Sequence, residues 1–345
     1  MKFILFCNLP YAFGILKPLE EEIKKRGYEA LWYVPDAIKE EFPYKKSNHT
    51  SSVKDLKAYS SDAILVPGNE VPHFLRGVKV QIFHGLAGEK KGHFRIRDYF
   101  DLYLTQGPYF TKRFEALAKK HKNFQVSQTG WCKLDDLYTT SQETLDMREK
   151  LLLDNGVKHI VLYAPTFSPS LTSADKLIST VKRLGDRDNI LVIVKFHDKM
   201  DKTIIEQYQK LNVENLLISN EKDITKLLQI SDLMISDTSS VVYEFILLDK
   251  PVVTLESKSE NINWLNLTDV NKLEESVVSI LDGNDEFINR RHQTIKEYHP
   301  YDDGNSSVRM INAIESYIQE YGVPTKRDIP FHRKIKINNK FGWFV

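Results

Sequence analysis

Short apolar runs alternate with amphipathic stretches through the first part of the chain. Continuous apolar runs, bounded by Pro, Gly or Asp, occur at residues 2–7, 30–34, 62–66, 79–83 and 101–104. Runs of this length are typical of buried parallel strands. Amphipathic stretches near 15–26 and 108–120 predict helices, the first ending at Gly27 and the second beginning at Pro108. The pattern therefore predicts an α/β domain with a parallel sheet.

The same pattern restarts after a polar, helix-like stretch at residues 139–158. Further strands are predicted at 159–164, 190–196, 215–219, 232–236 and 251–255, with helices between them. Two successive series of this kind predict two Rossmann-like, doubly wound domains facing a central cleft, with ligands beyond the carboxyl ends of the strands. We expect one domain at 1–145, a second at 146–325 and a short C-terminal tail at 326–345.

Composition argues against a nucleic-acid-binding, a secreted or a membrane-spanning protein. The net charge is +1, from 48 basic and 47 acidic residues, so the basic excess of a nucleic-acid-binding protein is missing. The apolar run at the N-terminus is interrupted by Asn8 and Pro10, which is too early for a signal peptide. No stretch approaches the roughly 20 apolar residues that span a bilayer. We expect a cytoplasmic protein, soluble or peripheral at the inner face of the plasma membrane.

The sharpest candidate site follows the strand predicted at 232–236. Asp237 ends this strand, and Thr238, Ser239 and Ser240 open the next helix. Either Thr238 or Ser239 could cap that helix. A helix N-terminus with added hydroxyl donors is suited to bind phosphate, because its free amides and its dipole both favour anions. The simpler interpretation is an ordinary helix cap, which needs only one hydroxyl.

A histidine follows a strand in the first domain. His84 comes after the strand at 79–83, where Gly85 and Gly88 leave room for a ligand and Lys90 and Lys91 add positive charge. A histidine at a strand's carboxyl end is well placed as a general base for an acceptor hydroxyl. The alternative is a histidine that only caps a helix.

Other strand ends carry weaker candidates. Lys195 and His197 close the strand at 190–196 and could reach a diphosphate, although a solvated strand end explains them nearly as well. Thr166 follows the first strand of the second domain, after Pro165. Asp303 precedes a helix near residue 305, where it could only shape a turn.

Several common sites are not indicated. The histidines lack HxH or HxxxH spacing, the two cysteines have no CxxC spacing, and G-x-S-x-G, P-loop and GxGxxG motifs are missing. We predict no metal and no cofactor. The tail 326–345 mixes basic residues with aromatics and fits an anionic membrane surface, or it packs back across the first domain with its charges solvated.

Taken in order, these motifs resemble those of the CDP-glycerol glycerophosphotransferase family, the teichoic acid primases and polymerases with related capsule enzymes. The resemblance covers about residues 80–310 and rests on His84-Gly85, Tyr163-Ala-Pro-Thr166, Lys195-x-His197, Asp237-x-Ser239-Ser240 with Glu244-Phe245, Lys250-Pro251 and Asp303-Gly304. Departures occur at Thr238, where the family often has Tyr, at Asp198, where it often has Pro, and at Trp131-Cys132.

The resemblance implies a GT-B fold with an acceptor-side first domain and a nucleotide-donor second domain. It implies transfer of an alditol phosphate, with glycerol phosphate expected, from a CDP-alditol co-substrate to a hydroxyl of a lipid-linked or glycan acceptor in cell-surface polymer synthesis, with release of CMP. His84 and His197 match the two catalytic histidines. The residues that match donor-binding positions are Thr166, Lys195, Asp237, Thr238, Ser239, Ser240, Glu244 and Asp303.

Two other functions fit the same pattern. A GT-B sugar transferase or a UDP-GlcNAc 2-epimerase-like enzyme would use a similar cleft for a sugar nucleotide. A non-catalytic nucleotide-binding scaffold of polymer assembly would bind a donor without releasing a nucleotide. The identity of the alditol and of the acceptor, and the number of units added, stay open at this stage.

Overall fold

The computed structural model describes residues 1–86, 92–221, 224–325 and 327–342. Its strands are β1 (Lys2–Phe6), β2 (Glu29–Tyr33), β3 (His49–Thr50), β4 (Ala63–Val66), β5 (Val78–Gln81), β6 (Leu102–Thr105), β7 (Gln125–Gln128), β8 (His159–Tyr163), β9 (Ile190–Val194), β10 (Leu216–Ile218), β11 (Leu233–Ser236), β12 (Val252–Leu255) and β13 (Leu265–Leu267). Its helices are α1 (Ala12–Lys25), α2 (Val53–Tyr59), α3 (Pro108–His121), α4 (Asp135–Tyr138), α5 (Gln142–Asn155), α6 (Ile178–Gly185), α7 (Lys202–Gln209), α8 (Ile224–Ile230), α9 (Val241–Ile246), α10 (Leu273–Leu281), α11 (Ile288–Tyr298), α12 (Ser306–Tyr321) and α13 (Phe331–Phe341).

The chain divides into two compact units. The first comprises Met1–Asp135 together with Glu297–Val345, and its strands form a parallel sheet in the order β3-β2-β1-β4-β5-β6-β7. Ile4 lies opposite Leu31 on one side and Ile64 on the other. The central strands are buried, as expected for a sheet covered on both faces. The strand order changes direction between β1 and β4, which is the topological switch point of this sheet.

The second unit, Asp136–Lys296, holds a parallel sheet in the order β10-β9-β8-β11-β12-β13. Val161 of β8 lies opposite Val192 of β9 and Leu233 of β11, and all three are buried. The switch point of this sheet lies between β8 and β11. The prediction of two Rossmann-like, doubly wound parallel sheets is therefore confirmed.

Three strands that the sequence pattern did not predict, β3, β7 and β13, lie at sheet edges. Their residues are half-buried or exposed, whereas those of the central strands are buried. An edge strand is covered less completely and needs no continuous apolar run. The pattern of apolar residues therefore identified the centre of each sheet better than its margin.

The structure differs from the predicted domain boundaries. Residues 297–325, predicted in the second domain, belong to the first unit, and the first continuous segment ends at Asp135 instead of 145. The Asp135 carboxylate accepts hydrogen bonds from the Ser306 and Ser307 amides at 2.8 and 2.7 Å, which fixes the start of α12 on the first unit. An ion pair of 3.0 Å between Arg26 and Glu315 joins α12 to α1.

The C-terminal segment packs across the first unit. Ile337 and Phe341 of α13 are buried in the same core as the strands, whereas Phe331 is 76% exposed. The alternative predicted for the tail, packing across the first domain with its charges solvated, is therefore only partly right. Arg327 is not solvated but forms an ion pair with the buried Asp101. Lys326 and residues 343–345 of the predicted tail lie outside the described residues. Contact of this tail with a membrane stays a prediction.

Candidate functional site

His84 lies on a strained turn at the carboxyl end of β5. Its neighbour Phe83 has a φ of 62°, a left-handed conformation that costs a residue with a Cβ about 1–2 kcal/mol. The Phe83 ring is buried and packs against His93 and Phe114, with centroids 5.1 Å apart in each pair. This packing holds the turn, and His84, the next residue, is exposed.

Hydrogen bonding defines the tautomer of His84. Its Nδ1 lies 3.0 Å from the carbonyl oxygen of Pro67, in the loop that follows β4. Because a carbonyl can only accept, Nδ1 carries the proton of the neutral ring and Nε2 keeps its lone pair. The ring also packs on Tyr11, with centroids 5.3 Å apart. This arrangement leaves Nε2 as a proton acceptor, which is what a general base needs.

Two buried glutamines hold the loops beside His84. Gln81 donates to the carbonyls of Pro67 and Gly68 at 3.2 and 2.9 Å. Gln106, at the end of β6, donates to the Gly85 carbonyl at 3.0 Å. A Cβ at Gly85 would meet no atom of the described part of the chain within 4 Å, which leaves space for a ligand beside His84. Gly88, Lys90 and Lys91, which the sequence placed in this site, lie outside the described residues.

Asp237 joins two loops of the second unit. Its carboxylate is buried, one oxygen accepting the Thr166 amide at 2.9 Å and the other accepting both the amide and the hydroxyl of Ser173 at 2.9 Å. Burial raises the pKa of Asp237, and these hydrogen bonds oppose the rise. Contact of Asp237 with a donor stays a prediction. The carboxylate positions the loop after β8 against the end of β11, at the switch point of the second sheet.

The hydroxyl residues that follow Asp237 are placed at the start of α9. Ser240 is the N-cap residue and is exposed, and its side chain makes no capping hydrogen bond. The expectation that Thr238 or Ser239 caps this helix is wrong. Thr238 instead accepts the Lys258 amide at 3.0 Å through its Oγ1, which leaves its hydroxyl hydrogen available to an acceptor. Ser239 is half-buried.

Lys195, His197 and Phe167 lie beyond β9 and β8. The Lys195 ammonium donates to the Phe196 carbonyl at 2.9 Å and has two further hydrogens. The His197 and Phe167 rings pack with centroids 4.4 Å apart, and the Lys199 ammonium lies 5.8 Å from the Phe167 centroid. Phe167 is 38% exposed, a surface aromatic that the sequence analysis did not select although it directly follows Thr166.

His197 has the opposite tautomer from His84. Its Nδ1 accepts the Lys199 amide at 3.1 Å, so the proton of the neutral ring is on Nε2. Burial is the largest cause of a lowered pKa for His197, the lysines Lys195 and Lys199 lower it further, and Asp198 opposes them. At neutral pH the ring is therefore uncharged, and its Nε2–H can donate a hydrogen bond to a phosphate oxygen.

The remaining predicted donor residues fall into two groups. Thr166 and Glu244 are half-buried in the second unit, Thr166 beside Asp237 and Glu244 on α9 one turn beyond Ser240. Asp303 lies in the first unit with His84, not in the second as the sequence analysis placed it.

The Asp303 carboxylate is half-exposed and bonded within its own unit. Its two oxygens accept from the Arg309 guanidinium at 2.8 and 3.1 Å, and the hydrogen bond from Arg309 lowers the pKa of Asp303. Arg309 in turn donates to the Thr129 carbonyl at the end of β7 at 2.9 Å. These bonds anchor the segment before α12 on the first sheet.

The described residues contain no cluster of His, Cys, Asp or Glu arranged to hold a metal ion. None of the helices in the described ranges combines the length and the apolar character of a membrane-spanning segment.

Comparison with known proteins identifies the family. The model of the CDP-Glycerol:Poly(glycerophosphate) glycerophosphotransferase family matches residues 19–261, which is most of the chain. The chain belongs to this family. The prediction of a transferase of the glycerophosphotransferase class is therefore confirmed.

Individual glycerophosphotransferases align over different shares of their length. The teichoic acid poly(glycerol phosphate) polymerase of Bacillus spizizenii is 24% identical over 282 residues, which are 72% of this chain and 69% of the polymerase. The teichoic acid ribitol-phosphate polymerases TarL and TarK of Staphylococcus aureus are matched over about a third and a half of their length. The sequence relatives thus include polymerases named for either alditol phosphate.

Solved structures share the fold. The wall teichoic acid polymerase TagF has a TM-score of 0.62 at 17% identity, covering 93% of this chain and 89% of TagF. A putative UDP-N-acetylglucosamine 2-epimerase from Listeria monocytogenes has a TM-score of 0.69 at 17% identity, covering 95% and 99%. At this identity the likeness shows a common GT-B-like fold, and the family match distinguishes this chain from the epimerases.

Proposed function

We propose that this glycerophosphotransferase moves glycerol phosphate from CDP-glycerol to a hydroxyl group of a lipid-linked cell-surface polymer, at the inner face of the plasma membrane. The observation that carries the proposal is the tautomer of His84, because an exposed ring on a strained strand end, with its lone pair on Nε2, is suited to act as a general base. The family match supplies the donor class.

In the proposed reaction the acceptor hydroxyl oxygen attacks the phosphorus that carries the glycerol. The acceptor oxygen–phosphorus bond forms, the bond from that phosphorus to the bridging oxygen of the diphosphate breaks, and CMP leaves with the electron pair. The proton of the acceptor hydroxyl moves to Nε2 of His84. Charge therefore develops on the bridging oxygen, which is where hydrogen-bond donors lower the barrier most.

The second unit offers such donors at the ends of its central strands. We assign the diphosphate to His197 Nε2–H, the Lys195 ammonium and the hydroxyls of Thr238, Ser239 and Ser240, which follow β9 and β11. Further contacts with the donor are assigned to Thr166 and Glu244. Asp303 keeps its predicted role near the alditol only as a proposal, and its carboxylate would have to bind while paired with Arg309.

The test is a substitution that removes the basic nitrogen of His84 and keeps its hydrogen bond to the turn. His84→Asn retains a donor for the Pro67 carbonyl but has no basic nitrogen, and His332→Asn, an exposed histidine on α13, is the matched control. We expect His84→Asn to lower kcat by about 10²–10⁴, the usual contribution of general base catalysis, with little change in CDP-glycerol affinity. Wild-type turnover in this variant would exclude His84 as the base.

The identity of the donor is tested by measuring nucleotide release from a panel of candidate donors. CDP-glycerol, CDP-ribitol and UDP-sugars are compared with and without lipid-linked acceptor analogues. CMP release from CDP-glycerol supports the proposal, and CMP release from CDP-ribitol alone would correct the alditol. Activity confined to UDP-sugars would identify a sugar-nucleotide enzyme, and donor binding without any nucleotide release would identify a scaffold.

A further inference from the structure

Phe167 is an exposed aromatic residue beside the proposed donor site. Its side chain is 38% exposed, and the apolar core that the described residues of the second unit form does not include it. It directly follows Thr166, whose amide donates to the buried Asp237 carboxylate at 2.9 Å. The position of Phe167 is therefore fixed by the backbone of its loop, and its ring is left for contacts outside the core.

The Phe167 ring packs on the His197 ring. Their centroids lie 4.4 Å apart, with an angle of 40° between the ring planes. The Lys199 amide holds His197 at one atom, through the hydrogen bond of 3.1 Å to Nδ1. A ring held at one atom can still tilt about that contact, whereas a second ring on its face limits the tilt, since aromatic rings in contact favour a few arrangements. The two contacts together set the direction of the Nε2–H bond.

Phe167 also contacts the residue that holds His197. The Lys199 ammonium lies 5.8 Å from the Phe167 centroid, within the range of a cation–π contact. Lys199 thus approaches Phe167 with its side chain and His197 with its backbone amide. Loss of the aromatic face would release both the imidazole and the lysine, so this one side chain orders the loop that follows β9.

These contacts join two parts of the second sheet. β8 lies between β9 and β11, and the loop that follows β8 carries Thr166 and Phe167. Asp237 ties that loop to the end of β11, and Phe167 ties it to the loop after β9. The hydrogen-bond donors assigned to the diphosphate follow β9 and β11. Their relative position therefore depends on the loop between them.

We propose that Phe167 is a positioning residue, which holds the His197 ring so that its Nε2–H bond is directed to the diphosphate of the donor. The inference rests on the proposed function, which assigns the diphosphate to His197, and deepens it by naming the side chain that sets the orientation of that ring. Removal of the aromatic face should slow transfer more than it weakens donor binding, because a hydrogen bond to the bridging oxygen strengthens as charge develops there.

The test compares two substitutions of Phe167. Phe167→Leu removes the flat face and keeps an apolar side chain, and Phe167→Tyr keeps the face. Phe331→Leu, the same substitution at a residue of α13 that is 76% exposed, is the matched control. All three variants should unfold within about 2 °C of the wild type, because neither of the substituted side chains is buried.

The orientation of His197 is measured without substrate. Long-range proton–nitrogen NMR spectra of histidine-labelled protein report the tautomer and the pKa of each ring, and the signals of His197 are assigned by their loss in His197→Gln. We expect the Nε2–H tautomer in the wild type, in Phe167→Tyr and in the control, and a mixture of tautomers in Phe167→Leu. The charged groups that act on this ring are Lys195, Asp198 and Lys199. In Phe167→Leu the ring loses its cover and Lys199 is released, so the pKa of His197 should rise toward its ordinary value.

Turnover distinguishes positioning from direct contact with the donor. We expect Phe167→Leu to lower kcat about three- to tenfold, the usual strength of an aromatic pair, with a smaller change in the Kd of CDP-glycerol, and Phe167→Tyr to keep at least about half of the wild-type kcat. In the His197→Ala background, Phe167→Leu should have no further effect, because a residue that acts through another loses its influence when the other is removed. An equal decrease of kcat in both backgrounds would overturn the proposal and indicate that Phe167 touches the donor itself.

These outcomes are separable from failure of the proposed function. If no mixture of donor and acceptor releases CMP, the transfer reaction is wrong, while the NMR spectra still decide whether Phe167 orients His197. If CMP is released and the tautomer and pKa of His197 are the same in Phe167→Leu as in the wild type, only the positioning role is wrong. A changed tautomer with an unchanged kcat would also overturn that role.

Discussion

Replacing Asp237 by Asn tests whether this buried carboxylate positions the proposed donor site. The carboxylate accepts three hydrogen bonds, one from Thr166 and two from Ser173. An Asn side chain keeps one oxygen, which can serve Ser173, and turns an NH₂ group toward the Thr166 amide. One donor then loses its acceptor inside the protein, where a bond to a charged group contributes about 1.5–3 kcal/mol.

The net decrease in the free energy of unfolding should be near the lower end of that range. Burial raises the pKa of Asp237 even though three hydrogen bonds oppose the rise, so the ionised carboxylate is itself held at a cost in free energy. Removing the charge returns part of that cost. We expect destabilisation of the second unit by about 2 kcal/mol, a Tm decrease of roughly 4–8 °C for a unit of this size.

The assay pairs thermal unfolding with titration of CDP-glycerol. Asp232→Asn is the matched control, because Asp232 accepts the Ile160 amide at 2.9 Å and pairs with Arg148 between the same two strands at their amino ends. Both variants should be less stable, and only Asp237→Asn should weaken donor binding, since Thr166 and the adjacent Phe167 would shift. Unchanged donor affinity in Asp237→Asn, or equal weakening in Asp232→Asn, would refute the positioning role.

Three further predictions concern single residues. The buried His299 accepts the Trp131 amide, and burial lowers the pKa of its ring to about 4. Below about pH 6.5 the unfolded chain therefore binds a proton that the folded chain does not, so the free energy of unfolding decreases as the pH is lowered, by about 2 kcal/mol at pH 5. His299→Gln keeps an acceptor and does not titrate, so its urea unfolding should show a smaller decrease between pH 7 and 5, and an equal decrease would contradict this origin. Gly85→Ala adds a methyl group that meets no atom of the described residues within 4 Å, so it should leave Tm within about 1 °C and raise the acceptor KM. An unchanged KM would show that no ligand approaches this backbone. His197→Gln should keep more activity than His197→Ala because its amide can donate as Nε2–H does, and equal turnover of the two variants in the CMP assay would exclude hydrogen-bond donation at this position.

The centres of both sheets could be predicted because their strands are buried on both faces. Ile64 and Val161 lie in buried apolar segments, at 63–66 and 160–162, which only a covered parallel strand requires. The edge strands could not be predicted in this way, because a strand such as β7 (Gln125–Gln128) pairs along one side only and leaves much of its surface to water. The position of α12 could not be predicted from the sequence either. It depends on the contact of Asp135 with Ser306, which are 171 positions apart in the sequence.

For the candidate site, the sequence indicated which residues end strands but not what their side chains contact. Asp237 ends β11 as predicted, yet its oxygens are occupied by backbone amides 64 and 71 positions away. Asp303 precedes a helix as predicted, yet Arg309 engages it and the whole segment belongs to the first unit. A carboxylate accepts from whichever donors the fold brings to it, and the order of residues does not specify them.

The two histidines show why position alone does not determine chemistry. Both histidines follow an interior strand, and the structure exposes both rings. A backbone carbonyl receives the Nδ1 proton of His84, whereas a backbone amide donates to Nδ1 of His197. The first contact leaves a lone pair on Nε2 and the second leaves a hydrogen there, so His84 can accept the proton of a hydroxyl while His197 can only donate to an anion in its neutral form. The division of roles therefore comes from one main-chain atom in each loop, and substitutions that alter those loops should exchange or abolish the roles even when both imidazoles remain.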